Sequence, residues 1–146
     1  MGSKGKELWD ASTEGDVSKV EQLLQEIDID VNWVDEEAQR SSFFRACGHG
    51  HAEIVKLLLN DQRVDVFKIT NTGGTPFHIA CQNGCTEVVK LLLNDGRVEI
   101  AKAFRTGVTP FDVALRKGFT EIIDAIKEKS NLYIIFIDFI SKKKSK

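Results

Sequence analysis

Proline and long apolar runs are scarce in this chain of 146 residues, which contains only two prolines. Its most apolar stretch, residues 132–140, is interrupted by Asp138 and is far shorter than the roughly 20 residues that cross a bilayer. We therefore expect no membrane-spanning helix. No apolar leader follows Met1, so we expect no secretory signal. The three cysteines are an odd number, which argues against a disulfide framework and favours a cytoplasmic, or alternatively nuclear, location.

Catalytic and metal-binding motifs are also missing. The chain has no G-x-S-x-G, phosphate loop or H-E-x-x-H, so we expect no enzyme, no catalytic residue and no cofactor. Cysteine and histidine occur close together at Cys47, His49, His51, Cys81 and Cys85, which are the ligand types that zinc prefers. Cys47 and Cys81 nevertheless occupy a small-residue position that recurs along the chain, and we expect no metal site.

The formal net charge of −2 conceals a gradient. Residues 1–40 hold 4 basic and 11 acidic side chains, residues 41–100 hold 6 and 6, and residues 101–146 hold 10 and 5. An elongated molecule would thus have an acidic and a basic end, either to orient a partner through its field or merely as a solvated surface of uneven charge. We expect no nucleic-acid partner.

The main feature of the sequence is an internal repeat. Residues 41–73 and residues 75–107 carry the same residue at about half of their aligned positions, and a fixed period of this length is typical of stacked repeat proteins. Several residues return after 34 positions: Thr75-Pro76-Phe77 as Thr109-Pro110-Phe111, Ala80 as Ala114, and Gly84 as Gly118.

Each unit predicts two helices and a loop. Thr75 is a good N-cap, and Pro76 suits the first helical position, where its missing N–H costs nothing. Gly84 is suited to end this short helix. A second helix over Thr86 to Asn94 is apolar around much of its circumference, which predicts that it lies between neighbouring helices.

The segments GGTPFHIACQNG and VTPFDVALRKG resemble the T-P-L-H-x-A-A-x-x-G motif of the ankyrin repeat. The resemblance covers about residues 7–129. It implies an all-α, ankyrin-type helix-turn-helix solenoid of about four repeats with protruding hairpin loops. It also implies a concave face of inner helices and loop tips that binds protein, and we expect a monomer. The predicted divisions are a flexible N-terminus at 1–6, repeats at 7–40, 41–74, 75–108 and 109–130 (the last one partial), and a tail at 131–146.

Two departures from the repeat affect these expectations. The tip between the first two units is one residue longer than the next tip and lacks its turn glycine, so we expect it to be irregular and more mobile. At the position of the motif histidine, which His78 keeps, the second unit has Phe44 and the fourth has Asp112.

Exposed residues at the ends of the inner helices and on the tips are predicted to form one surface, the concave strip, with Gly48, Gly74 and Val108 beside them. Trp33 is either an exposed anchor for a partner or a cover for the first unit, and these alternatives stay open. Trp9 is expected in the packing of the N-terminal unit. The predicted partner-binding residues are Trp33, Glu36, Glu37, Arg40, His49, Asn71, Thr72, Gln82, Asn83, Arg105, Thr106, Arg116 and Lys117.

The tail has two interpretations. Its apolar residues can fold back as a cap over the last unit, which we favour, or they can bind an anionic membrane surface with the help of the lysines that follow. The sequence thus predicts a non-catalytic interaction module or adaptor that binds a protein partner. The alternative is a peripheral membrane adaptor whose repeats recruit that partner.

Overall fold

A computed structural model describes residues 2–145, apart from the side chains of Leu132, Tyr133 and Phe136. The structure is built from α-helices that follow one another in pairs. The helices of these residues are α1 (Lys4–Glu14), α2 (Val17–Leu24), α3 (Ser42–Gly48), α4 (Ala52–Asn60), α5 (Pro76–Gln82), α6 (Thr86–Asp95), α7 (Pro110–Lys117) and α8 (Thr120–Lys144).

The predicted helix caps are confirmed. The hydroxyl of Thr75 accepts the His78 N–H at 3.0 Å, and that of Thr109 accepts the Asp112 N–H at 3.1 Å. Pro76 and Pro110 each begin a helix. Gly118 follows α7 with a φ of 71°, in the left-handed region that glycine tolerates best.

The helices form two layers. Inner helices α1, α3, α5 and α7 pack side by side, and outer helices α2, α4, α6 and α8 pack behind them. Alanines of the inner layer, such as Ala46, Ala80 and Ala114, are completely buried, and so are Leu58 and Leu92 of the outer layer. The small inner residues allow the close approach of the helices, while the large outer residues fill the core. The predicted ankyrin-type stack is therefore confirmed.

The loop tips are hairpin-like turns. The second tip is closed by a hydrogen bond from the Thr70 amide to the Gly74 carbonyl at 2.9 Å, and the first by one from the Asp35 amide to the Arg40 carbonyl at 3.2 Å. The first tip is longer, as predicted. In it, Gln39 has a φ of 59°, a left-handed conformation that Gly73 adopts in the second tip. A non-glycine residue thus makes the turn despite the missing glycine.

An arginine joins each of two outer helices to the preceding repeat, in what we call the arginine clasp. Arg63 donates to the Leu24 carbonyl at 2.8 Å and to the Glu26 carbonyl at 2.9 Å, and Arg97 donates to the Leu59 carbonyl at 2.8 Å. Asp61 and Asp95 hold the two guanidinium groups in place. Each clasp therefore satisfies carbonyl oxygens at the end of the previous outer helix.

Both ends of the chain differ from the predicted divisions. Helix α1 begins at Lys4 with Ser3 as its N-cap, within the segment predicted to be a flexible N-terminus. At the other end, α8 continues without interruption from the fourth repeat to Lys144. The described apolar side chains of the tail, Ile134, Ile135, Ile137, Phe139 and Ile140, are exposed rather than packed on the last unit, which contradicts the cap interpretation. Among the described residues, no helix has the length and apolar character needed to cross a membrane.

Candidate functional site

A cavity of about 360 Å³ opens on the concave strip between the second and third repeats. The ends of α3 and α5 and the first two tips line it. Five of the predicted partner-binding residues, from three repeats, are brought together here: Arg40, His49, Asn71, Thr72 and Asn83.

Phe44 and Ile79 supply the apolar part of this lining, and the sequence prediction missed both. They are half-buried and lie on the neighbouring helices α3 and α5. Gly48, predicted to be exposed, is buried, because Ile79 packs so closely that a Cβ at Gly48 would lie 2.9 Å from its Cγ1. A usable signal was Phe44 itself, a large apolar residue where the third and fourth units have His78 and Asp112.

Arg45 adds a cation to the cavity and was also missed. Its Nε donates to Thr13 Oγ1 at 3.1 Å, and its guanidinium carbon lies 4.8 Å from the centre of the Trp9 ring. Burial and the nearby charge of Arg40 lower the pKa of Arg45. Within the described part of the chain, no carboxylate lies within ion-pair distance of Arg45. This guanidinium therefore has donors available for an acceptor that enters the cavity.

Arg40, by contrast, is paired within the first tip. Its guanidinium contacts Asp35 at 2.6 Å and Glu37 at 3.1 Å. Burial opposes the shift, but hydrogen bonds from Arg40 lower the pKa of Asp35 below its usual value. The Asn71 amide in turn donates to the Ala38 carbonyl at 3.0 Å. The first two tips are thus tied together and form one wall of the cavity.

A second cavity of about 150 Å³ adjoins the first, shares Phe44 and Ile79 with it, and adds Gln82 and Phe104. His78 lies at its base, fully buried, with its ring centre 3.8 Å from that of Phe104. The His78 Nδ1 accepts the Thr75 N–H at 3.1 Å, and this bond completes the cap of α5. Burial lowers the pKa of His78, the Val108 carbonyl opposes the shift, and the charge of Lys102 adds to it.

Stability is expected to fall as the pH drops below about 6.5, because the unfolded state binds protons first. A histidine in the unfolded chain has a pKa of about 6.5, whereas the pKa values of His78 and His49 are lowered in the folded protein. Their contribution is therefore present above that value and is lost as the pH falls. Thermal midpoints across this range should depend less on pH in His78→Gln, where the histidine is fully buried, and also in His49→Gln, but there to a smaller extent because His49 is exposed. An unchanged pH dependence in His78→Gln would count against this assignment.

Several predicted residues lie outside the two cavities. Trp33 packs edge-to-face on Trp9, with ring centres 6.1 Å apart, and lies against Gly5, which matches the covering alternative. Asn83, which does line the larger cavity, donates to the Gly48 carbonyl at 2.7 Å, so part of its hydrogen-bonding capacity is used inside the stack. The other predicted residues on the tips and at the end of α7 are exposed but line neither cavity: Glu36, Glu37, Arg105, Thr106, Arg116 and Lys117.

The cysteines are poorly suited to react. Cys47 and Cys81 are buried and Cys85 is half-buried. Burial raises the pKa of Cys81 to about 12 and that of Cys47 well above its ordinary value. Thiolates, the form that attacks electrophiles and binds zinc, are therefore scarce at neutral pH. Over residues 2–145, as far as they are described, no group of three or more His, Cys, Asp or Glu residues is arranged to hold a metal ion.

Comparison with known families agrees with the geometry. The family model described as ankyrin repeats (3 copies) matches residues 8–102 and residues 43–134. These matches overlap and together cover most of the chain. Ankyrin repeats are in general protein–protein interaction modules and typically carry no catalytic activity. Paired helices, Thr-Pro caps and this match lead to one conclusion: the chain belongs to the ankyrin repeat family.

Proposed function

We propose that this chain binds a partner protein through the concave strip, with the larger cavity at the centre of the contact. The observation that carries the proposal is the composition of that cavity. Its apolar residues, Phe44 and Ile79, are surrounded by polar side chains from three repeats. An apolar centre inside a polar rim is the usual anatomy of a protein interface.

The lining also indicates what the partner presents. A volume of about 360 Å³ fits one or two side chains, so an apolar side chain of the partner would lie on Phe44 and Ile79. A hydrogen-bond acceptor beside it would meet Arg45. The exposed residues of the third tip and of the end of α7, among them Arg105 and Arg116, would form the rim on the basic side.

The cavity walls are formed before the partner arrives. Hydrogen bonds between the first two tips, and the stacking of Arg45 on Trp9, hold these walls in place. A preformed surface loses little conformational entropy on binding. Affinity is therefore expected to depend on side chains in the cavity rather than on ordering of the tips.

The test places two carboxylates at the cavity mouth, through His49→Glu with Thr72→Glu. Both positions are exposed, so the fold is expected to survive. The new carboxylate at position 49 would pair with Arg45, and both changes would hinder entry of an apolar side chain. We expect capture of the partner from the native source, measured by affinity purification with cross-linking, to fall by at least about tenfold.

The matched control is Gln22→Glu with Gln62→Glu, which introduces two carboxylates at exposed positions that line neither cavity. This variant is expected to retain the partner set of the unaltered chain. Equal capture by the cavity variant and the control would contradict binding at the concave strip.

A further inference from the structure

The C-terminal part of α8, residues 131–144, which we call the tail helix, exposes a cluster of large apolar side chains. Single exposed apolar residues are ordinary on a protein surface, but a cluster indicates an interaction site. Their exposed fractions are 63% for Ile134, 64% for Ile135, 46% for Ile137, 58% for Phe139 and 36% for Ile140.

These side chains point in different directions around the helix. Successive residues of an α-helix are rotated by about 100°, so Ile134, Ile137, Ile140, Phe139 and Ile135 extend over an arc of about 260°. The remaining arc is polar and contains Asp138, which pairs with Lys142 at 2.8 Å. A helix that lies at a lipid interface buries its apolar face at the boundary of the acyl chains and keeps its polar face in water. The apolar arc and the polar stripe of the tail helix suit this arrangement.

The charges near the apolar cluster also indicate an anionic lipid surface. Lys142, Lys143 and Lys144 follow the apolar cluster and are exposed. Lys143 Nζ lies 5.4 Å from the centre of the Phe139 ring, so the cations lie next to the apolar surface. Residues 101–146 hold 10 basic and 5 acidic side chains, whereas residues 1–40 hold 4 and 11. An anionic surface would attract the tail helix and repel the N-terminal repeat.

The length of the cluster sets the depth of binding. Residues 134–140 extend about 10 Å along the helix axis, much less than the roughly 30 Å of a bilayer core. We infer that the tail helix binds an anionic lipid surface by lying in the plane of the headgroups. Its apolar arc faces the acyl chains and its lysines contact lipid phosphates. This goes beyond the binding of a protein partner, because the concave strip lies on other elements of the fold.

Vesicle flotation of the full chain tests this inference. We expect binding to phosphatidylcholine vesicles that contain phosphatidylserine, little binding to phosphatidylcholine alone, and weaker binding at high salt. Each lysine near an anionic surface changes affinity by about fivefold. Lys142→Glu, Lys143→Glu and Lys144→Glu together should therefore weaken binding by at least about a hundredfold.

The matched control reverses the charge at three exposed lysines outside the tail helix, through Lys4→Glu, Lys56→Glu and Lys90→Glu. This variant should keep most of the vesicle binding.

A second variant, Ile135→Ser with Ile137→Ser and Phe139→Ser, should also lose vesicle binding without loss of thermal stability, because these side chains are exposed. Failure of the unaltered chain to bind anionic vesicles would overturn the inference, as would full binding by either tail variant. A dimer in sedimentation analysis that the serine substitutions disrupt, without any flotation, would assign the apolar arc to a second copy instead.

Discussion

Leu92→Ala is expected to lower the free energy of unfolding by about 2–5 kcal/mol. Leu92 is completely buried in α6, which packs against α4, α5 and α8. Truncation removes apolar contacts with neighbouring helices and leaves a cavity that they fill only in part. Because each repeat of a stack contacts only its neighbours, a defect in α6 also weakens the units on both sides.

Leu115→Ala is the matched control, because it makes the same chemical change on α7 at a side chain that is 49% exposed. It should cost less than about 1 kcal/mol. Denaturant unfolding followed by circular dichroism measures both variants. Comparable losses in the two would show that α6 is not packed between its neighbours as described.

Gly84→Ala is expected to cost about 2–4 kcal/mol, from two separate causes. Gly84 ends the inner helix of the third repeat with a φ of 69°, and a side chain in this left-handed region is strained. A Cβ there would also lie 3.0 Å from Phe119 Cζ. Phe119 would have to move, and it packs against the core.

Gly118 separates the two causes, because it occupies the same repeat position with a φ of 71°, but a Cβ at Gly118 would meet no atom within 4 Å. Gly118→Ala should therefore show the conformational strain alone, about 1–2 kcal/mol. The difference between the two thermal unfolding midpoints measures the contact with Phe119. If both variants lose the same stability, that contact contributes nothing.

The stack was predictable from the sequence because its determinants are local and recur. Thr75-Pro76 returns as Thr109-Pro110, and each pair begins a helix because a hydroxyl cap and a proline act within one turn. The approximate location of the candidate site followed from the same period. His49, Asn71 and Thr72 were found by position in the repeat, and the structure places them around one cavity.

The residues that were missed depend on contacts between repeats. Arg45 reaches the cavity because Trp9 and Thr13 of the preceding repeat hold its guanidinium, and neither contact has a local signal. The tail was misjudged for a related reason: residues 131–144 have high apolar content, which fits burial as well as exposure. Residues 131–144 continue helix α8 instead of folding back over the last unit, and composition alone could not predict this path of the chain.

The arginine clasp gives the stack a direction. The end of the first repeat's outer helix is bound by Arg63 of the second repeat, and that of the second by Arg97 of the third, so the first and second repeats are each completed by the one that follows. In the fourth repeat, the carbonyl oxygens of residues 127–130 are satisfied in another way. They accept hydrogen bonds from the amides of residues 131–134, because helix α8 continues into the tail. The tail helix therefore serves as the substitute for a following repeat, and fraying of the tail would first release the final turn of the fourth repeat. Amide exchange should consequently reach residues 131–134, whose amides bind the carbonyls of residues 127–130, before the clasped ends of α2 and α4.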